Sequence, residues 1–391
     1  MESESPVDRF YFDHNATTPV SPEVLEGLIP ALGEIYGNAS SIHHHGQAAK
    51  QRLELARRQT AWLLEADPRE IVFVSGGTEA DNLAILGVVR QARRERKHVI
   101  TTAIEHPAVL NTCAQLEREG VEVTYVSVDS GGNVDPDDVR RALRPETVLI
   151  SVMHANNEIG VIQPVAEIAR IAREAGVLIH SDGVQALGKI AVDVPALGVD
   201  LYSASGHKIY APKGIGALFV RKGTPLVPIL FGGHHERDRR PGTENVAGAV
   251  GLGLAAEWAC ANLDLEAMRL SALRNRLEQG ILERVPRCFV NGANGSRLPN
   301  TTNIRFDGIE GEAMVIALDL KGFAVSSGAA CSSGAVEPSH VLTAIGLTRE
   351  QAKASLRFSL GRANTVEQVD ALITAVAEAA AHLRRLSPAY A

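Results

Sequence analysis

Several features that would narrow the function of this chain are scarce or missing. Only four cysteines occur, Cys113, Cys260, Cys288 and Cys331. They are widely separated and form no C-x-x-C pair, which argues against a thiolate zinc site and against a disulfide framework. There is no excess of basic residues: the formal net charge is -7, so nucleic acid is not expected as a main partner. No uninterrupted apolar run approaches the length that spans a bilayer, and residues 1–8 are acidic and polar rather than signal-like. A cytoplasmic chain with no membrane partner is therefore the expectation. Internal repeats and low-complexity linkers are also lacking. What remains, 391 residues of which 45% are hydrophobic, is enough for one large or two moderate cored domains.

Apolar runs of strand length alternate with helix-length periodic segments. Strands are predicted at 71–74, 98–102, 122–126, 148–153, 177–180, 201–203 and 216–220, with helices at 79–94, 108–119, 136–143 and 165–175 between them. Earlier, 10–12 reads as a short strand, Ser21-Pro22-Glu23 as a helix start, and 47–64 as a helix. This alternation indicates an α/β fold with a mostly parallel sheet covered by helices on both faces. A long helix from Asn245 toward Gly280 leads out of that layer. Beyond it, strands at 302–306 and 355–359 and helices at 311–320 and 366–383 predict a smaller α+β domain. The expected division is a large domain, 16–260, and a small one built from 1–15 and 261–391.

The chemistry centres on Ser205-Gly206-His207-Lys208. Lys208 follows an apolar strand and lies among small residues, where an ammonium loses hydration and its pKa falls toward that of a usable amine nucleophile. Taken alone, a surface lysine after a turn is the more ordinary reading, and the partners change it. Asp182 ends the apolar run Val177-Leu178-Ile179-His180-Ser181, at the strand edge where ligands bind in open α/β sheets. It suits either a helix cap or an acid against a pyridinium nitrogen. Together with a Schiff-base amine, that acid points to pyridoxal 5'-phosphate.

Other strand ends supply further groups. Ser75-Gly76-Gly77-Thr78-Glu79 joins a strand to a helix, and the free N–H groups there favour an anion such as the cofactor phosphate. Gly77 allows close approach and Thr78 adds a hydroxyl, although Thr78 and Asp81 also match a capping box. Ser205 and His207 would complete the cradle. His106 is placed to stack on a planar ring and move a proton, or to start a helix. Asn157 and Gln185 are candidate donors to a ring hydroxyl. Cys331 sits in a loop of glycine, serine and alanine that lacks the apolar neighbours of a buried thiol. Arg357 alternates with apolar residues on a strand and suits a substrate carboxylate or a structural salt bridge. The adjacent His43, His44 and His45 cannot all face one ion, and no metal site is expected.

The runs His14-Asn15-Ala16-Thr17-Thr18-Pro19, Ser75 through Asn82, Glu105-His106, Asn156 through Gly160, Ser205 through Tyr210, Arg240-Pro241-Gly242-Thr243 and Ser326 through Cys331 resemble the cysteine desulfurase family. The likeness is to its nitrogen-fixation and housekeeping iron–sulfur assembly branch and runs over nearly the whole chain. It implies the aspartate-aminotransferase-type fold (fold type I), a homodimer, pyridoxal 5'-phosphate, L-cysteine as substrate, and a sulfur acceptor or iron–sulfur scaffold as partner. It further implies that Lys208 forms the Schiff base, Asp182 meets the pyridine nitrogen, and His106 stacks on the ring and transfers a proton. Asn157 and Gln185 would hold the ring, and Gly77, Thr78, Ser205 and His207 the phosphate, with Thr243 contributed by the other subunit. Arg357 would bind the substrate carboxylate, with Asn157 beside it, and Cys331 would take the sulfur as a persulfide. An aminotransferase or a selenocysteine lyase of the same fold are the alternatives. Three positions depart from the family pattern: Gly183 where alanine is common, Ala39 for proline, and His234 for a third glycine. The chain also stops short of the longer tail with which housekeeping members dock a scaffold.

Overall fold

A computed structural model describes residues 8–327 and 337–386. In chain order the elements are β1 (Phe10–Tyr11), α1 (Pro22–Gly33), α2 (His44–Leu63), β2 (Ile71–Val74), α3 (Gly77–Gln91), β3 (His98–Thr102), α4 (Pro107–Arg118), β4 (Glu122–Val126), α5 (Pro136–Ala142), β5 (Thr147–Ser151), α6 (Val165–Ala175) and β6 (Leu178–Asp182). They continue with α7 (Val194–Leu197), β7 (Leu201–Ser205), β8 (Gly216–Val220), α8 (Val246–Arg284), β9 (Cys288–Asn291), β10 (Thr301–Phe306), α9 (Gly311–Asp319), β11 (Phe323–Ala324), α10 (His340–Ala344), α11 (Arg349–Lys353), β12 (Ser355–Ser359) and α12 (Val366–Leu386).

Seven strands form one sheet in the order β2-β8-β7-β6-β5-β3-β4. Pairing is parallel from β7 through β6, β5 and β3 to β4, whereas β8 runs antiparallel to both β7 and β2. Two reversals leave β2 pointing the same way as β7. Hence the carboxyl ends of β2, β3, β5, β6 and β7 share one edge. The continuous apolar runs are explained by burial on both faces: every residue of β2, β3, β5, β7 and β8 is buried. A second, antiparallel sheet, β12-β10-β9, and the parallel pair β1-β11 lie outside it.

The cores are distinct. Val24, Leu53, Ile150, Ile179, Tyr202 and Leu252 belong to a cluster on one side of the main sheet, and Leu83, Val88, Val109 and Leu149 to another. Phe12, Leu277, Phe306, Phe358 and Val376 build a third around the small sheet. The helix α8 serves two of these clusters. Its Ala249, Leu252, Ala255 and Ala256 pack in the first, and its Leu270, Leu273, Leu277 and Ile281 in the third.

One expectation needs correction. The helix after the histidine run begins at His44, not Gln47, because His43 caps it: its Nδ1 accepts from the Gly46 N–H at 3.3 Å. His44 and His45 form the first turn. By length and mean composition α8 could also cross a membrane, although Glu257 and Asp264 interrupt its apolar run. Its apolar residues are instead the shared wall of two cores.

Candidate active site

Lys208 ends a single turn, Gly206–Lys208, directly after β7. The turn is tied back by the Gly206 N–H to the Ile215 carbonyl at 3.0 Å. The Lys208 Nζ donates to the carbonyls of Asn15 and Ala16 at 2.6 and 2.7 Å. Burial, and next the Arg357 guanidinium, bring its pKa down to about 8. The amine is thus available near neutrality, as a Schiff-base former requires.

Asp182 is the last residue of β6, and both uses suggested for it are compatible. One oxygen, Oδ1, accepts from the Val184 N–H at 2.9 Å and caps the following turn. Burial pushes its pKa up, opposed by His106, by that N–H and by the charge of Lys208. Lys208 and Asp182 are close enough for each charge to move the other's pKa. His106 likewise caps the next element. Its Nδ1 accepts from the Ala108 N–H at 3.1 Å, capping α4. Burial lowers its pKa, so its imidazole is neutral at physiological pH.

Asp81, which looks from the sequence like part of a capping box, instead joins this group. It caps nothing, since α3 begins at Gly77 with Gly76 before it and no side-chain cap. Asp81, His106 and Asp182 each place one ligating atom within 4.8 Å of the others. Such a trio also matches a divalent-cation set, but the adjoining Lys208 amine would repel an ion there. Burial, then the charge of Asp182, raise the pKa of Asp81 well above the carboxylate range. His180 lies 3.6 Å from it and is bonded through its two ring nitrogens to Ser151 and Ser203, both at 2.9 Å.

The loop expected to cradle phosphate opens the fifteen-residue α3, whose first N–H groups have no intrahelical partner. A Cβ on Gly77 would stand 2.8 Å from Val184 Cγ2, and one on Gly76 3.8 Å from Ser205 Oγ. The Ser205 hydroxyl therefore faces the loop, and the backbone needs glycine to fit. Glu79 braces it, accepting from the Ser75 N–H at 2.7 Å and from Arg240 Nε at 2.9 Å. His207 Nδ1 lies 3.1 Å from Thr17 Oγ1, and burial, then Lys208, pull its pKa down to about 4. A cleft of about 400 Å³ lies beside Thr78 and His106 and extends toward Asn111 and Gln115 rather than over Lys208.

Residues from the chain's ends close the other side. Arg357 NH2 donates to Asp13 Oδ1 at 2.7 Å and its NH1 to the Asn157 carbonyl at 3.1 Å. The salt bridge offered as the alternative for Arg357 therefore exists, and Asp13 was not singled out in the sequence. The Asn157 side chain makes no hydrogen bond among the described residues, and Gln185 Nε2 donates to the Asn15 carbonyl at 3.0 Å. Asn15 was likewise overlooked. Besides accepting from Lys208 and Gln185, it donates through Nδ2 to the Asn157 carbonyl and Thr301 Oγ1 and through its N–H to Ser359 Oγ. Thr243 is exposed and forms no hydrogen bond among the described residues. Cys331 lies outside the described residues, which stop at Ser327 and resume at Glu337.

The glycine after Asp182 has a local cause. A Cβ on Gly183 would fall 1.9 Å from Cζ of Tyr202, a fully buried ring whose hydroxyl is 2.8 Å from His154 Nδ1. A large side chain on β7 occupies the volume an alanine would need.

The profile of the class-V aminotransferase family matches residues 10–372. The cysteine desulfurase IscS of Methanosarcina thermophila is 50% identical over 378 residues, covering 97% of this chain and 93% of that one. The chain belongs to this family, in its cysteine desulfurase branch. Enzymes of the family use pyridoxal 5'-phosphate, and the amine, carboxylate, imidazole and glycine-lined helix start found here fit that group. Among solved structures, a NifS-like protein superposes with a TM-score of 0.90 at 38% identity, covering 96% of this chain and all of that one. A structure described as SspA in complex with cysteine gives 0.80 at 37% identity, over 90% of this chain and 98% of that one. The likeness includes the α/β fold with its mostly parallel central sheet.

Proposed function

We propose that this protein is a pyridoxal-phosphate-dependent cysteine desulfurase that converts L-cysteine to L-alanine and passes the sulfur to Cys331 as a persulfide. The observation that carries the reading is the meeting of the Lys208 amine, the Asp182 carboxylate and the His106 imidazole at one edge of the sheet. Pyridoxal 5'-phosphate supplies an aldehyde that captures amines and a ring that accepts the electron pair left at a substrate's Cα. Lys208 removes the Cα proton once its amine is free. With the cofactor bound, Asp182 would keep a proton on the ring nitrogen, and His106 would stack on the ring and shuttle a proton. Asn157 and Gln185 would hold the ring, while Gly77, Thr78, Ser205 and His207 would bind the phosphate. Arg357 and Asn157 orient the substrate carboxylate. The Cys331 thiolate attacks the substrate sulfur: the S–S bond forms, the C–S bond breaks, and its electrons stay with the carbon that becomes the methyl of alanine.

The enzyme works as a homodimer, with Thr243 of each copy completing the phosphate site of the other. Leu25, Ile29 and Leu32, exposed along one face of α1, offer an apolar stripe for a second copy. It acts in the cytoplasm, supported by the free thiols of Cys113, Cys260 and Cys288, and delivers sulfur to acceptors such as an iron–sulfur scaffold. The chain divides into a large domain, 16–260, and a small one, 1–15 with 261–391, a boundary supported by the separate cores along α8. The test is incubation with L-cysteine, which should yield alanine and a mass increase of one sulfur on Cys331. Cys331→Ser should keep the cofactor absorbance and lose sulfide release; full activity in that variant would remove the thiol from the mechanism.

A further inference from the structure

Lys189 has no part in the reaction just described, yet it is buried, more so than Lys208 itself. It is 8% exposed, on the turn after β6 and four residues beyond Gln185. It forms no ion pair with a carboxylate among the described residues. Its Nζ donates to Gln185 Oε1 at 2.6 Å and to Asn15 Oδ1 at 3.4 Å. Tyr210, Glu266 and Arg362 line the same small cavity, but the groups whose charge acts on it or feels it are His14, His207, Lys208 and Arg357. All are basic. A buried amine among basic groups is unfavourable, and burial, then Lys208 and Arg357, push its pKa well down.

Its partners have fixed orientations. Asn15 Nδ2 faces the Asn157 carbonyl and Thr301 Oγ1 at 3.0 and 2.8 Å, and Gln185 Nε2 faces the Asn15 carbonyl at 3.0 Å. A carbonyl only accepts, so the NH2 end of each amide must face it and the oxygen end must face Lys189. Lys189 is the donor to both oxygens. Without it, the Gln185 oxygen would be buried and unsatisfied, and turning the amide over would not help, because it would set oxygen against oxygen at Asn15 and leave the NH2 unpaired. That same Asn15 carbonyl holds Lys208 Nζ at 2.6 Å.

We propose that Lys189 is a positioning residue for the cofactor site: it locks the Gln185 amide so that N–H, not C=O, is presented beside Lys208. The inference rests on the pyridoxal phosphate reading. An N–H donor stabilises an ionised ring oxygen and so lowers the pH at which the lysine-bound cofactor changes its absorbance; an acceptor there does the reverse.

The test uses the full chain loaded with pyridoxal 5'-phosphate, comparing Lys189→Met, which keeps the volume and loses the donor, with Lys189→Gln, which keeps an N–H. In Lys189→Met the absorbance midpoint should rise by about one pH unit, a tenfold change in the ionisation constant. The thermal midpoint of the cofactor-free protein should hold or rise. Lys189→Gln should return the absorbance midpoint toward that of the parent. Gln185→Leu should reproduce the Lys189→Met shift, and the double variant should add nothing to it. This second comparison decides the matter if Lys189→Met does not fold. A Lys189→Met midpoint unchanged from the parent, or full additivity in the double variant, overturns the proposal. Borohydride reduction and mass mapping of the parent separate the two readings. Cofactor fixed on Lys208 with no Lys189 effect sinks only this inference, and no adduct on Lys208 sinks the pyridoxal phosphate reading itself.

Discussion

The two sides of Lys208 are built by different means. On the sheet side, Asp182, His106, Ser205 and Gly77 occupy the ends of strands that share a direction, so topology alone brings them together. On the other side, Asp13, Asn15, Asn300 and Arg357 come from opposite ends of the chain and meet only because the small sheet packs against the large one. Asn300 Nδ2, for instance, donates to Asn15 Oδ1 at 3.1 Å. The strand edge carries groups tuned by burial and charge. The seam carries hydrogen-bonding groups that hold the Lys208 amine and the Arg357 guanidinium. Under the proposed function, chemistry belongs to the first side and alignment to the second.

Substitutions on the two sides should therefore differ in kind. The largest effect is expected from Asp182→Ala, which should lower the rate of alanine formation by about 10³-fold with little change in KM; a loss below tenfold would deny the strand edge its leading role. Arg357→Ala should act mainly through KM, raising it by roughly 10- to 100-fold as charge-assisted hydrogen bonds are lost. If kcat falls instead and KM holds, the seam is chemical rather than aligning. Gly183→Ala should cost about 1–3 kcal/mol in denaturant unfolding through the overlap with Tyr202. Pairing it with Tyr202→Leu should recover most of that loss.

The smallest effect links the two sides through pH. Because the folded pKa of Lys208 is about 8 and lies below its ordinary value, the cofactor-free protein should capture pyridoxal phosphate faster as pH rises, levelling above about 8. Arg357→Ala should move that midpoint upward, since the guanidinium helps to depress it. Between the folded and the unfolded pKa the unfolded chain binds the extra proton, so this group makes stability rise with pH above about 8. A midpoint unaffected by Arg357→Ala would mean that burial alone sets it.

The same division governs what could be read from the sequence. Lys208, Asp182 and His106 stood out because an apolar run followed by a short polar run marks a strand end, and parallel strand ends share an edge. The sheet and its helices were readable for the same reason. Asp81 escaped notice because helix spacing made it look like half of a capping box. Asn15 and Lys189 carry no periodic signal: one lies in a polar loop and the other in a turn, and only the packing of distant segments shows that they meet. Arg357 was seen but its Asp13 partner was not, since β12 and the loop after β1 are joined only in three dimensions.

The helix α8 has 39 residues, a rod of about 58 Å at 1.5 Å per residue. Because each half is a wall of a different core, neither core can melt without stripping apolar cover from the same continuous helix. Heating should therefore produce a single cooperative endotherm rather than two resolved ones, and a glycine pair placed between Ala261 and Glu266 should be the change that splits it.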